Sequence, residues 1–181
     1  PNASKPRYIW IDAAANFPDF ANSKENIARD LALAKDAGFT DIVVDVRPTT
    51  GDVLFKTNLV DQVKFMYAWI GSNYTKVERT ATWDYLQAFV DEARKQGLRI
   101  HAAINTFVGG NQIDGGTGLL YRDQSKAEWA TQMNMQVGIT SVMNTSESTK
   151  FFNPAHPEVQ TFLCDLLKDL AGYDLDGIFL D

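Results

Sequence analysis

Apolar and polar residues recur along the chain with two periods, one near 3.6 and one near 2, and they predict its elements. Arg7-Tyr8-Ile9-Trp10-Ile11-Asp12 is a short apolar and aromatic run bounded by turn-rich sequence, which reads as a strand. From Ser23, a plausible N-cap, Ile27, Leu31, Ala34 and Ala37 repeat at helical spacing up to Gly38. Glu25 and Asp30 in the first half, with Lys35 near the end, suit the helix dipole. Asp41-Ile42-Val43-Val44-Asp45-Val46 is β-branched and reads as a second strand, stopped by Pro48. A second helix runs from Thr82 or Trp83 to Gln96, with Leu86, Phe89, Val90 and Ala93 on one face and Gly97 past its end. Arg99 to Asn105 is a third strand. His156 to Leu170, opened by Pro157, is a third helix, and Asp176 to Asp181 is a fourth strand.

The resulting order, β-α-β-α-β-α-β, predicts a parallel sheet with helices packed outside it. Residues 47–81 and 106–155 form two long connections that leave the carboxyl ends of strands, whereas the returns from helix to strand are short. Parallel α/β folds build sites on that edge. The segment 106–150 is rich in Gly, Asn, Ser and Thr and is expected to be mostly irregular, with some local structure.

Alternate side chains of a strand face opposite sides. One face of the sheet then collects Ile9, Ile11, Ile42, Val44, Val46, Ile100, Ala102, Ile104, Ile178 and Leu180, which should pack under the helices. The other carries a polar group at or near the carboxyl end of every strand: Asp12, Asp45 with Arg47, His101 with Asn105, and Asp181. Burying charge costs several kcal/mol unless it is paired. Convergence of four strands on one polar end therefore points to a site, as in parallel barrels. Each residue also has a structural reading. Asp45 and Arg47 fit an ion pair as well as a ligand-binding pair. His101 fits a satisfied core histidine, Asn105 a loop cap and Asp12 a loop start. Trp10, Tyr8 and Phe179 suit either sugar stacking or core filling. Asp181 is the best catalytic candidate.

Composition narrows the choice. The chain has 181 residues, enough for one domain with a core of useful size. Its 17 basic and 23 acidic side chains give a net charge of -6, which argues against a nucleic-acid or anionic-membrane partner. No apolar run approaches a transmembrane length. With two histidines and one cysteine, Cys164, neither a zinc site nor an internal disulfide is expected, and Cys164 reads as a core thiol. The Gly pairs at 109–110 and 115–116 match no dinucleotide fingerprint or phosphate loop, and no nucleophile elbow occurs. No cofactor or metal is expected. Residues 1–6 look like a polar linker, and the chain reads as a fragment because it stops inside a strand.

Arg7 to Asp12, Ala37-Gly38-Phe39-Thr40 leading to Val44-Asp45-Val46-Arg47-Pro48, and Gly97 to Ala102 with Asn105 resemble the opening of the glycoside-hydrolase-like family 10 barrels. Phe152-Asn153-Pro154-Ala155-His156-Pro157-Glu158-Val159 and Tyr173 to Asp181 are the most specific part of the resemblance, which covers the chain after the linker. It implies an α/β fold of (β/α)8 TIM-barrel type, present here as about half a barrel, with residues 7–181 its N-terminal part. It further implies a glycoside hydrolase of secreted or envelope-associated bacterial proteins acting on polysaccharide, with Asp181 at the active-site end of strand four. Arg47, His101 and Asn105 are then expected to line the same pocket. The block of candidate sugar-binding residues is thus Asp12, Asp45, Arg47, His101, Asn105 and Trp10. Glycoside hydrolysis normally needs two carboxylates about 5–9.5 Å apart; Asp12 and Asp45 are candidates for the second, which is expected rather beyond residue 181. The other readings are a non-catalytic carbohydrate-binding barrel and a structural domain. An open half barrel would also self-associate through its exposed edges.

Overall fold

The structure is a computed structural model that describes residues 5–135, 139–142 and 149–181. Its strands and helices, in chain order, are β1 (Tyr8–Ile11), α1 (Phe17–Phe20), α2 (Lys24–Asp36), β2 (Asp41–Arg47), β3 (Phe65–Ile70), β4 (Asn73–Glu78), α3 (Tyr85–Gln96), β5 (Arg99–Ile104), β6 (Val108–Asn111), α4 (Leu119–Arg122), β7 (Gln132–Met135), β8 (Ile139–Val142), β9 (Thr149–Phe151), α5 (Pro157–Ala171) and β10 (Gly177–Leu180). They fall into two compact units, residues 1–46, 63–104 and 173–181 in the first, and 47–62 and 105–172 in the second. Most of the expected linker, residues 1–4, lies outside the described residues.

The first unit is built on a four-stranded sheet in the order β1-β2-β5-β10. β1 pairs parallel with β2, and β10 with β5. The aliphatic face forms as its alternation predicts at the centre, where Ile42, Val44, Val46, Ile100, Ala102 and Ile104 are buried. α2 contributes Ile27, Leu31 and Ala34 to the core, and α3 contributes Leu86, Phe89, Val90 and Ala93. Each fully buried aliphatic or Phe side chain stabilises by roughly 1.5–3 kcal/mol. The helix ends are capped. Ser23 Oγ accepts the Asn26 N–H at 3.1 Å and Asp84 Oδ1 accepts the Gln87 N–H at 3.1 Å. Gly97 ends α3 in the left-handed conformation, at φ 66°.

The opposite face of this sheet is concave. β1 and β10 are three strand intervals apart, about 14 Å in a flat sheet. Yet the ring centroids of Tyr8 and Phe179 are 6.3 Å apart, and those of Trp10 and Phe179 are 5.7 Å apart. Side chains from the two edge strands meet because the sheet curls, as the wall of a parallel barrel does. Gly177 fits this curl by having no side chain: a Cβ there would lie 2.7 Å from His101 Nδ1.

The connection 47–81 carries an antiparallel hairpin, β3 paired to β4 from Phe65↔Glu78 to Ile70↔Asn73. Two expectations are corrected. The segment 106–150, expected to be mostly irregular with some local structure, holds short paired strands, β6 with β9 and β7 with β8. Strands of three or four residues in turn-rich sequence give too few alternations to read. Residues 136–138 and 143–148 of that segment lie outside the described residues. Finally, Cys164 is exposed on α5 rather than a core thiol. The helix buries Val159, Phe162, Leu163, Leu166 and Leu170, and Cys164 falls outside that stripe.

In the second unit, Trp129, Phe152 and Phe162 form an aromatic cluster with centroid separations of 5.5–6.2 Å. Asp52, almost fully buried, is gripped by both terminal nitrogens of Arg122. Burial nevertheless pushes its carboxyl above the ordinary value.

Candidate active site

Within the first unit, Asp12, Asp45 and Asp181 stand at or near the carboxyl ends of β1, β2 and β10. The β1–β2 register pairs Trp10 with Val43 and Ile11 with Val44, which brings Asp12 level with Asp45 on the concave side. Asp181 continues the β5–β10 ladder by donating its N–H to the Ile104 carbonyl at 3.0 Å, and it is exposed. Asp45 is buried. Asp12 is exposed, but its Oδ1 accepts the Ala15 N–H at 2.7 Å and so starts the loop into α1. Trp10, 48% exposed, lies edge-on to Phe179, which is 40% exposed.

Tyr85 joins this group although nothing in the sequence marked it beyond its place after the N-cap Asp84. It is fully buried, and among the described residues its hydroxyl has no hydrogen-bond partner. Burial, and then the negative charge of Asp45, push its phenol well up. Arg79 opposes them and Asp12 adds to them. The phenol therefore keeps its proton and remains a donor beside two carboxylates.

His101 lies elsewhere on the same face. It is paired in register with Gly177, the first residue of β10, and its Nε2 is 2.8 Å from Asp41 Oδ1 at the start of β2. Asp41 also receives two hydrogen bonds from Arg99, at 2.8 and 2.7 Å, and one from Thr40. The Arg99 guanidinium, opposed by burial and aided by Thr40 and His101, holds the Asp41 carboxyl well below the usual carboxylate range. This is a satisfied network at the amino ends of the strands, away from the end where Asp45 and Asp181 stand.

In the second unit, Arg47 is fully buried and donates to the backbone carbonyls of Asn105, Thr106 and Val108. Asn105 returns its Nδ2 to the Arg47 carbonyl at 2.9 Å and its backbone N–H to the same oxygen at 3.0 Å. The structure thus brings Arg47 and Asn105 together as a clamp on the turn at 105–108. Among the described residues, no group of three or more His, Cys, Asp or Glu side chains is placed to hold a metal ion.

Residues 5–181 match the family described as glycosyl hydrolase-like 10. An S-layer-related protein of Niallia circulans is 29% identical over 186 residues, covering 99% of this chain. The chain spans only 11% of that relative's length. Among solved structures, α-L-fucosidase isoenzyme 2 from Paenibacillus thiaminolyticus superposes with a TM-score of 0.61 at 19% identity, over 97% of this chain and 23% of the fucosidase. A hypothetical protein from Ruminiclostridium thermocellum gives 0.58 at 13% identity, over 96% of this chain and 74% of its own. An α-galactosidase from Thermus thermophilus gives 0.56 at 15%, over 97% and 30%. These likenesses establish the fold, that of part of a TIM-barrel wall.

Proposed function

Because the chain belongs to the glycosyl hydrolase-like 10 family, we propose that residues 7–181 are the N-terminal part of the barrel of a glycoside hydrolase acting on a polysaccharide or oligosaccharide. One observation carries this reading: a curled sheet presents Asp12, Asp45 and Asp181 at one end of a concave face lined by half-exposed rings. Asp181 is the nucleophile or general base, since it is the exposed one of the three that is not engaged in starting a loop. Trp10 offers a stacking surface to a sugar ring, and Asp12 and Asp45 stand beside it as acceptors for its hydroxyls. Arg47 and Asn105 fix the backbone at 105–108, and His101 holds the sheet together through Asp41. The general acid comes from the part of the longer protein outside these 181 residues, so this stretch alone does not cleave glycans. The S-layer-related relative supports a place at the cell surface or outside the cell. No helix among the described residues is long and apolar enough to cross a membrane.

A second reading, non-catalytic glycan binding, draws on the burial of Asp45 and the loop-capping role of Asp12. In the full-length protein, Asp181→Asn is expected to abolish release of reducing ends from polysaccharide while circular dichroism and the melting transition stay unchanged. Cleavage at the wild-type rate in that variant removes Asp181 from the mechanism. Binding without cleavage by the wild type selects the second reading.

A further inference from the structure

We propose that the β3–β4 hairpin is a glycan-binding platform of its own, on which an extended polysaccharide chain stacks against Tyr67, Tyr74 and Trp69. The inference rests on the glycan reading above and adds a second place of contact, away from the carboxylates.

Strand parity sorts the hairpin into two faces. Met66 and Ala68 point one way and are buried, with β3 packing on α1. Phe65, Tyr67 and Trp69 point the other way, opposite Glu78, Lys76 and Tyr74 in the register. On this second face Tyr74 bridges its neighbours. Its ring is stacked with Tyr67 at 5.4 Å and 28°, and lies 5.3 Å from Trp69. Trp69 is 69% exposed and Tyr74 57%. Trp69 and Tyr74 are open to water, and the half-buried Tyr67 continues the strip.

Asn22, in the loop that follows α1, ties the hairpin to the sheet: its Nδ2 donates to the Glu78 carbonyl at 2.9 Å, and its Oδ1 accepts the N–H groups of Thr80 and Ala81 at 2.8 and 3.0 Å. Two chain segments leaving the carboxyl ends of β1 and β2 are thereby tied together, so the platform is rooted on the same edge of the sheet as Asp12 and Asp45. A large aromatic side chain forfeits much of its burial free energy when left in water, so a preformed exposed strip marks a binding surface. Its chemistry favours a sugar over a protein. Lys76 lies over the Phe65 ring at 4.3 Å, and Glu78 stands opposite Phe65 on the same face. Protein interfaces deplete charge at their cores. A pyranose offers an apolar C–H face to a ring and a rim of hydroxyls to neighbouring polar groups, and this mixture suits it.

The test is equilibrium binding of cellohexaose, maltohexaose and hexa-N-acetylchitohexaose, with the matching monosaccharides, read by calorimetry and tryptophan fluorescence. At least one hexaose should bind more tightly than its monosaccharide. Trp69→Ala should weaken it about tenfold or more, whereas Trp69→Phe, which keeps a ring, should stay within about threefold. Tyr74→Ala repeats the measurement should Trp69→Ala fail to fold. Asp181→Asn should leave the Trp69-dependent binding intact. Failure of every hexaose to bind overturns the proposal, as does binding that Trp69→Ala and Tyr74→Ala leave unchanged. A self-association that Trp69→Ala removes, without sugar binding, also overturns it and makes the strip a protein interface. Cleavage by the full-length protein with no effect of these variants sinks the platform alone. Trp69-dependent binding without any cleavage sinks the hydrolase reading alone.

Discussion

Asp41 is a charge withdrawn from water at the start of β2, and its three polar neighbours decide what that costs. Arg99, Thr40 and His101 satisfy both of its oxygens, so the carboxyl is held below its ordinary value. A group whose folded value is depressed contributes stability above its unfolded value, near 3.9, and loses it as pH falls through the folded one. Urea unfolding should therefore show a contribution that is constant from about pH 5 upward and declines below about pH 4. Asp41→Asn should lower the unfolding free energy by about 2 kcal/mol at neutral pH, and flatten that acid limb. Unchanged stability in the variant contradicts the network. Parity put His101 on the polar face correctly in the sequence. Its place early in β5 was readable as well, and its partner Asp41 stands at the amino end of β2. Tyr85, by contrast, was illegible: a helix residue reaches the strand ends only through the tertiary approach of α3, which no local pattern encodes. Cys164 shows the same limit, because a helical stripe fixes its neighbours Leu163 and Leu166 more sharply than its own margin.

At the scale of elements, local chemistry and tertiary demand can be separated. Asp84 caps α3 through Gln87 and also accepts the Tyr173 hydroxyl at 2.5 Å. Asp84→Ala is expected to cost about 1–2 kcal/mol in urea or thermal unfolding; a loss below about 0.3 kcal/mol contradicts the cap. Gly118 sits at φ 77°, and a Cβ there would be 2.6 Å from Gly110 Cα and 2.8 Å from the Thr50 carbonyl. Both neighbours are backbone and cannot swing aside. Gly118→Ala should therefore destabilise by about 1–3 kcal/mol, read as a lowered melting temperature. The helices α2, α3 and α5 and the four strands of the parallel sheet were legible because caps, terminal glycines and long periodic stripes coincide there. The β3–β4 hairpin was not: its turn is Gly71-Ser72, but its outer face is aromatic where a half-exposed strand ordinarily alternates with polar residues. The feature that hid the hairpin is the one that suggests a ligand.

At the scale of the whole molecule, the first unit presents an incomplete wall. β1 and β10 each have a single strand neighbour among the described residues, and Leu180 on β10 is 58% exposed. Parallel sheets are ordinarily covered on both faces, and open edges recruit strands. The 181-residue chain should accordingly show concentration-dependent sedimentation, which Leu180→Lys shifts toward monomer; a monomer at all concentrations contradicts this. The sequence made the parallel architecture and the polar end of the sheet readable, since both follow from period-2 parity. The reading of His101 as a satisfied core histidine holds, but neither its partner Asp41 nor the backbone carbonyls that Arg47 serves were named, because a buried polar residue's partners are unknown until its neighbours are placed. What remains central is that a glycan meets the concave face at the carboxyl ends of the strands. Amide NMR shifts during titration with the hexaose panel test this most directly. The account predicts shifts at Asp12 to Ala15, Asp45, and Leu180 to Asp181. Shifts absent there, or confined to Asp41, Arg99 and His101 at the other end, contradict it.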